Sequence, residues 1–178
     1  MTSDGEILFR AVRENPADDL PRLAYADWLE ENGQPERGEF IRLQCEAWHL
    51  CPAYGTVTEA RTAASRLLRE HRDAWHAELP AVPGVEWSDL FVRGFVDAAW
   101  IEAKRDVRAQ LDAVFAATPV QYLQVIDFGL RGLEVLFASE FAGRLTTLKR
   151  QGRGSGHSAG VGKVVADAQR RFPNITIE

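Results

Sequence analysis

Little in this chain ties it to a membrane, an oxidising compartment or a nucleic acid. Its 178 residues contain no run of eighteen apolar side chains, so no membrane span is expected. The opening residues, MTSDGEILFRAVREN, lack the basic stretch and long apolar core of a secretion signal. Two cysteines, Cys45 and Cys51, suit a reducing cytoplasm better than a disulfide-stapled fold, so a cytoplasmic location is expected. A basic excess is missing too: the net charge is −5. Residues 1–50 hold eleven acids against five Lys or Arg. From residue 149 to residue 171, Lys149, Arg150, Arg153, Lys163, Arg170 and Arg171 are opposed only by Asp167. An acidic front thus precedes a mildly basic tail, as solvated surfaces or as faces that pair with opposite charge.

What is present is concentrated between Asp18 and Gln44, DDLPRLAYADWLEENGQPERGEFIRLQ. Asp18 or Asp19 can cap a helix with Pro21 in its first turn and Gly33 just past its end, and Pro35 opens a second helix running to about Leu50. Leu20, Leu23, Tyr25, Ala26, Trp28 and Leu29 exceed one narrow apolar stripe, which predicts a helix packed on two sides. Asp27, set between Ala26 and Trp28, is expected to hydrogen-bond Arg22 or Arg42 rather than to catalyse. An earlier helix is expected over Asp4–Glu14 and a later one from Thr56 to about Glu78, before Pro80, Pro83 and Gly84 force a loop.

Leu20–Glu31, then Gly33, then Arg37-Gly38-Glu39-Phe40-Ile41-Arg42-Leu43-Gln44, resembles the bacterial repeat-companion domain, an N-terminal module that sits beside repeat arrays, commonly leucine-rich repeats. The resemblance covers about the first third of the chain. It implies an architecture, and no catalytic residue comes with it.

The pattern then changes. Segments starting at Phe95, Val120 and Leu145 are strand-like and 25 residues apart, and a fourth starts at Phe172. Helix-compatible stretches, 104–117, 133–142 and 161–171, separate them. This rhythm resembles degenerate leucine-rich repeats. Leu-x-x-Leu-x-Leu survives as Val120-x-x-Leu123-x-Val125 and Phe172-x-x-Ile175-x-Ile177, whereas Arg150 breaks the third unit and predicts an irregular or exposed strand. The expected fold is α/β (α+β): a helical bundle packed against a short, curved, parallel, leucine-rich-repeat-like sheet with helices on one face. The expected division is residues 1–55 as the helical domain, 56–89 as connecting helix and loop, and 90–178 as strand–helix units. The front helices are expected to cover the first edge of the sheet.

Sites weigh as follows. Cys45, His49 and Cys51 lack zinc spacing, and a buried thiol near a helix-end histidine is the commoner arrangement. Residues 152–163, GRGSGHSAGVGK, approach a phosphate loop, but His157 takes the place of its first glycine and Val164 that of the magnesium-binding hydroxyl. Ser155, His157 and Ser158 form no recognisable triad. The five tryptophans, scattered among acidic neighbours, suit packing better than base stacking.

The expectation is therefore a non-enzymatic protein-interaction module without cofactor or metal. Its partner face comprises Asp97, Ala99 and Ile101; Tyr122, Gln124 and Ile126; Thr147, Lys149 and Gln151; and Asn174 and Thr176. The alternative is an accessory protein that binds nucleic acid or a phosphate-bearing ligand through Arg150, Arg153 and Lys163.

Overall fold

Helix-start signals and strand alternation set the elements of the computed structural model, which describes residues 3–50, 58–104, 106–152 and 159–178. In chain order these are α1 (Asp4–Glu14), α2 (Leu20–Glu31), α3 (Pro35–Leu50), α4 (Glu59–Ala77), β1 (Val85–Trp87), β2 (Phe91–Val92), β3 (Phe95–Val96) and β4 (Ala98–Glu102). There follow α5 (Val107–Ala117), β5 (Tyr122–Ile126), α6 (Leu130–Ala138), a 3-10 turn at Ala142–Arg144, β6 (Thr147–Gln151), α7 (Ala159–Arg171) and β7 (Thr176–Ile177). This is an α/β fold with a mixed, mostly parallel five-stranded sheet and a small second sheet. None of the described helices is long and apolar enough to cross a membrane.

The chain forms two units, residues 1–79 with 89–96, and residues 80–88 with 97–178. The polypeptide therefore passes between them three times. The expected connecting helix, α4, belongs to the first unit, and so do β2 and β3.

In the first unit, side-chain caps start the outer helices: Ser3 Oγ accepts from Glu6 N, and Thr58 Oγ1 from Arg61 N. Asp19 occupies the N-cap of α2 without a capping bond, and Asp18 Oδ1 accepts from Leu20 N instead. Val12, Ala26, Leu29, Ile41, Cys45 and Phe95 are buried together. Phe40, Trp75 and Phe91 form a second aromatic contact. Arg42 Nη2 donates to Asp27 Oδ1 and to Glu30 Oε2, both at 2.6 Å, tying α3 to α2 as the sequence suggested for Asp27.

The β2–β3 hairpin turns through Arg93 (φ +47°) and Gly94 (φ +91°). Two consecutive positive φ values in a two-residue loop are the backbone of a type I′ turn. A Cβ on Gly94 would lie 2.5 Å from Ile41 Cγ1, so glycine serves both the dihedral and the close approach. Arg93 holds its unusual φ through its side chain, whose Nη1 donates to Ala17 O and Asp19 Oδ1 and whose Nη2 donates to Pro16 O. Arg22, 1% exposed, joins this cluster by donating to Arg93 O and Pro16 O.

Arg37 is the other buried cation. Its guanidinium lies 4.6 Å from the centre of the Trp75 ring and near Phe40, Phe91 and Phe95, and its Nη1 has no hydrogen-bond partner among the described residues. Burial pulls its pKa down from the ordinary guanidinium value to about 10, against the pull of Glu78. A lowered folded value means that, from about pH 10 up to the ordinary guanidinium range, the unfolded state binds the extra proton. Stability therefore rises with pH through that window, and at neutral pH the charge counts against folding. The ring contacts offset only part of this cost. Arg37→Met is accordingly expected to raise the neutral-pH urea midpoint, by about 1 kcal/mol of stability; a lowered midpoint would show the ring contacts to dominate.

In the second unit the strand order is β1-β4-β5-β6-β7, with β4 through β7 parallel and β1 antiparallel to β4. The last three expected segments and the second part of the first thus contribute β4 to β7 of one sheet. Ala99, Ile101, Leu123, Val125, Leu148 and Ile175 meet Leu111, Val114 and Phe115 of α5, Leu133, Leu136 and Phe137 of α6, and Val161 and Ala168 of α7 in one core. All three helices pack on the same face.

Several expectations need correction. Phe95–Ile101 is not one strand: it divides at Asp97 into β3, in the first unit, and β4, in the second. The first edge of the parallel strands, at β4, is paired with β1, a strand that the Pro80–Gly84 loop had hidden. β6 is regular over five residues. Arg150 stands opposite the buried Val125 on the helix side of β6, is half-buried, and its backbone N–H still donates to Glu178 O in the neighbouring chain segment.

Candidate binding face

Strand register decides which side chains the second unit offers. The pairs Ala98↔Tyr122↔Thr147↔Thr176 and Trp100↔Gln124↔Lys149 run across the sheet on the side opposite the helices. Glu102↔Ile126↔Gln151 forms the next row, and Glu86 of β1 stands opposite Trp100. Burial alternates accordingly: Leu123 and Val125 are buried, whereas Tyr122, Gln124 and Ile126 are half-buried.

The face is ordered by a side-chain ladder. Trp100 Nε1 donates to Gln124 Oε1 (3.1 Å), and Gln124 Nε2 donates to Gln151 Oε1 (2.8 Å). Three strands are thereby linked through their outward side chains, which fixes rotamers that would otherwise lose entropy on binding.

Most of the expected partner residues lie here. Tyr122, Gln124, Ile126 and Thr147 are half-buried on this face, and Lys149, Gln151 and Thr176 are exposed on it. Asn174 is exposed in the turn before β7. The first strand is the exception. Ile101 and Ala99 are 0% exposed and point into the core, and Asp97 precedes β4, where its carbonyl accepts from the N–H groups of Gln121 and Tyr122. The face belongs instead to Ala98, Trp100 and Glu102.

The physical reason is a single residue of spacing. β5 and β6 pair at the expected offset of 25, but β4 and β5 pair at 24, and an odd slip exchanges the two faces of a strand. β6 and β7 pair at 29 rather than 27, an even slip that leaves Thr176 outward. One signal was available: turning Ile101 outward sends Glu102 inward and buries a carboxylate, which costs several kcal/mol without a partner.

At the carboxyl ends of β4, β5 and β6 the face hollows into a cavity of about 460 Å³ lined by Gly84, Val85, Glu86, Trp100, Glu102, Ile126, Gln151 and Gly152. Gln110, 5% exposed, braces its wall by donating to Pro83 O and Glu102 O and accepting from Lys104 N. Gly84 (φ +76°) admits no side chain, since a Cβ there would lie 2.8 Å from Glu102 O. Lys104 Nζ sits 2.8 Å from Glu102 Oε2. The ends of parallel strands are a common place for ligands because backbone and loops diverge there.

Two cations of the alternative site lie among the described residues. Arg150 lies on the helix side of β6, opposite Lys149, and Lys163 is exposed on α7. Arg153, the phosphate-loop-like stretch from residue 153 to 158, and the Ser155–His157–Ser158 group fall outside the described residues.

Cys45 is buried, its thiol pushed up to about 12 by burial and then by the nearby Asp19 carboxylate, which makes it a poor nucleophile. His49 Nε2 lies 2.7 Å from Asp19 Oδ2. Among the described residues no group of three or more His, Cys, Asp or Glu side chains is placed to hold a metal ion. No family model, curated protein or solved structure matches this chain.

Proposed function

We propose that the chain is a non-enzymatic interaction module that docks a protein partner on the open face of its repeat-like sheet. On the resemblance carried by Leu20–Glu31 and Arg37–Gln44, the helical unit is a repeat-companion domain. The observation that carries the docking reading is the one-sided packing of the second unit. Its three helices share one face of the sheet, and the other presents Trp100, Tyr122 and Ile126 among Gln124, Gln151, Lys149 and Glu102. Aromatic anchors amid preordered amides and separated charges are what a recognition surface needs.

The test is partner capture by the tagged protein and by a Tyr122→Ala, Lys149→Glu double variant, with exposed Arg131→Glu as a control on α6. The face variant is expected to lose the captured partner with its thermal melt within a few degrees of the parent, while the control retains it. Retention of the same partner by the face variant assigns docking elsewhere.

A further inference from the structure

The cavity at the strand ends combines three features that recognise one kind of group. Trp100 lines it, its indole held in place by the bond from Nε1 to Gln124 Oε1. A carboxylate stands on either side, Glu86 directly across the strand pair and Glu102 two residues along β4 on the same face. Opposite them lie the aliphatic Ile126 and the amide of Gln151. An aromatic face attracts a cation through its quadrupole, and a carboxylate pair supplies the counter-charge and fork-shaped acceptors.

Glu102 already receives a cation from the chain itself, the Lys104 ammonium at 2.8 Å. Both partners of that pair are nearly half exposed, 47% and 44%, so it is held weakly and yields to a competitor. Across the face Lys149 carries the opposite sign, two strand spacings or about 10 Å from the Trp100 column. The docking face is therefore electrostatically polar, acidic at β1 and β4 and basic at β6.

We propose that this cavity takes an arginine side chain of the partner protein, its guanidinium stacked on Trp100 and paired with Glu86 and Glu102. Arginine fits better than lysine because a planar guanidinium stacks on the indole and forks to a carboxylate at once, whereas an ammonium does neither. Lys104 acts as an internal competitor that leaves Glu102 when the arginine enters. This assignment rests on the open-face reading and names the chemistry of what docks there.

The experiment titrates the 15N-labelled 178-residue chain with N-acetyl-arginine amide and follows the Trp100 indole N–H resonance, identified by its absence in Trp100→Phe. A saturable shift in the millimolar range is expected for so small a probe. The uncharged N-acetyl-citrulline amide should bind about tenfold more weakly, and so should N-acetyl-arginine amide to a Glu86→Gln, Glu102→Gln variant. Lys104→Ala should tighten binding about twofold to threefold by removing the competitor. Equal binding of arginine and citrulline, or no saturation with arginine, overturns the arginine site. If that occurs while the Tyr122→Ala, Lys149→Glu variant still loses its partner, the cavity assignment fails and the docking face stands. If the arginine shift is seen while that variant keeps its partner, the cavity assignment stands and the docking face fails.

Discussion

Replacing Asp19 with alanine is expected to destabilise the helical unit by about 3–5 kcal/mol, the usual cost of stripping one partner from a buried ion pair. Asp19 Oδ1 lies 3.0 Å from Arg93 Nη1 and 3.8 Å from Arg22 Nε, and both guanidinium groups are almost wholly out of water. Without that carboxylate two buried cations face one another with backbone carbonyls as their chief acceptors. The same cluster holds Arg93 at positive φ, so the loss extends to the hairpin that brings Phe91 and Phe95 into the core. Asp18→Ala, one residue earlier and exposed, removes one local bond to Leu20 N and should cost about 1 kcal/mol or less. Urea unfolding followed by tryptophan fluorescence separates the two. Equal effects at 18 and 19 would mean the buried cations are balanced by something other than Asp19.

Ile101→Ala carries the second large effect. The side chain is fully buried among Leu111, Val114, Leu123 and Val125, and its truncation should cost about 2–5 kcal/mol through lost transfer energy and the cavity left behind. Its neighbour Glu102 points the other way and is part-exposed, so Glu102→Ala should change stability by about 1 kcal/mol or less. The contrast between adjacent residues is the signature of strand alternation. Comparable losses at both positions, measured by calorimetric or denaturant unfolding, would indicate that β4 has no distinct inner and outer face.

How much of this was legible in the sequence differs by element. α1 spans the expected Asp4–Glu14, stopping before Asn15-Pro16, and Pro35 opens α3, because prolines and caps act locally. The strand–helix rhythm was legible because each unit repeats the same burial demand. What the rhythm could not supply was parity, since 24 and 25 residues look alike as a period and place opposite sides of β4 in the core. The hairpin was hidden for a different reason. Its turn is Arg93-Gly94 rather than Asn-Gly or Asp-Gly, and the cost of a positive φ at arginine is met by acceptors at Pro16, Ala17 and Asp19, more than seventy residues away. β1 was hidden because its three residues follow Pro83-Gly84 and exist as a strand only through pairing with β4. Of the candidate face, β5 and β6 were readable from Leu123, Val125 and Leu148. Trp100, Glu102 and Glu86, which build the cavity, depend on the pairing of β4 and were not.

The register of β4 decides both the face and the cavity, and thiol labelling along that strand tests it most directly. Single cysteines at positions 98, 99, 100 and 101 in a Cys51→Ser background, with buried Cys45 slow to react, give a ladder of iodoacetamide rates near pH 8. Fast labelling at 98 and 100 with slow labelling at 99 and 101 is the expected result. Fast labelling at 99 and 101 instead would place Ile101 on the outer face and take Trp100 and Glu102 out of the proposed site.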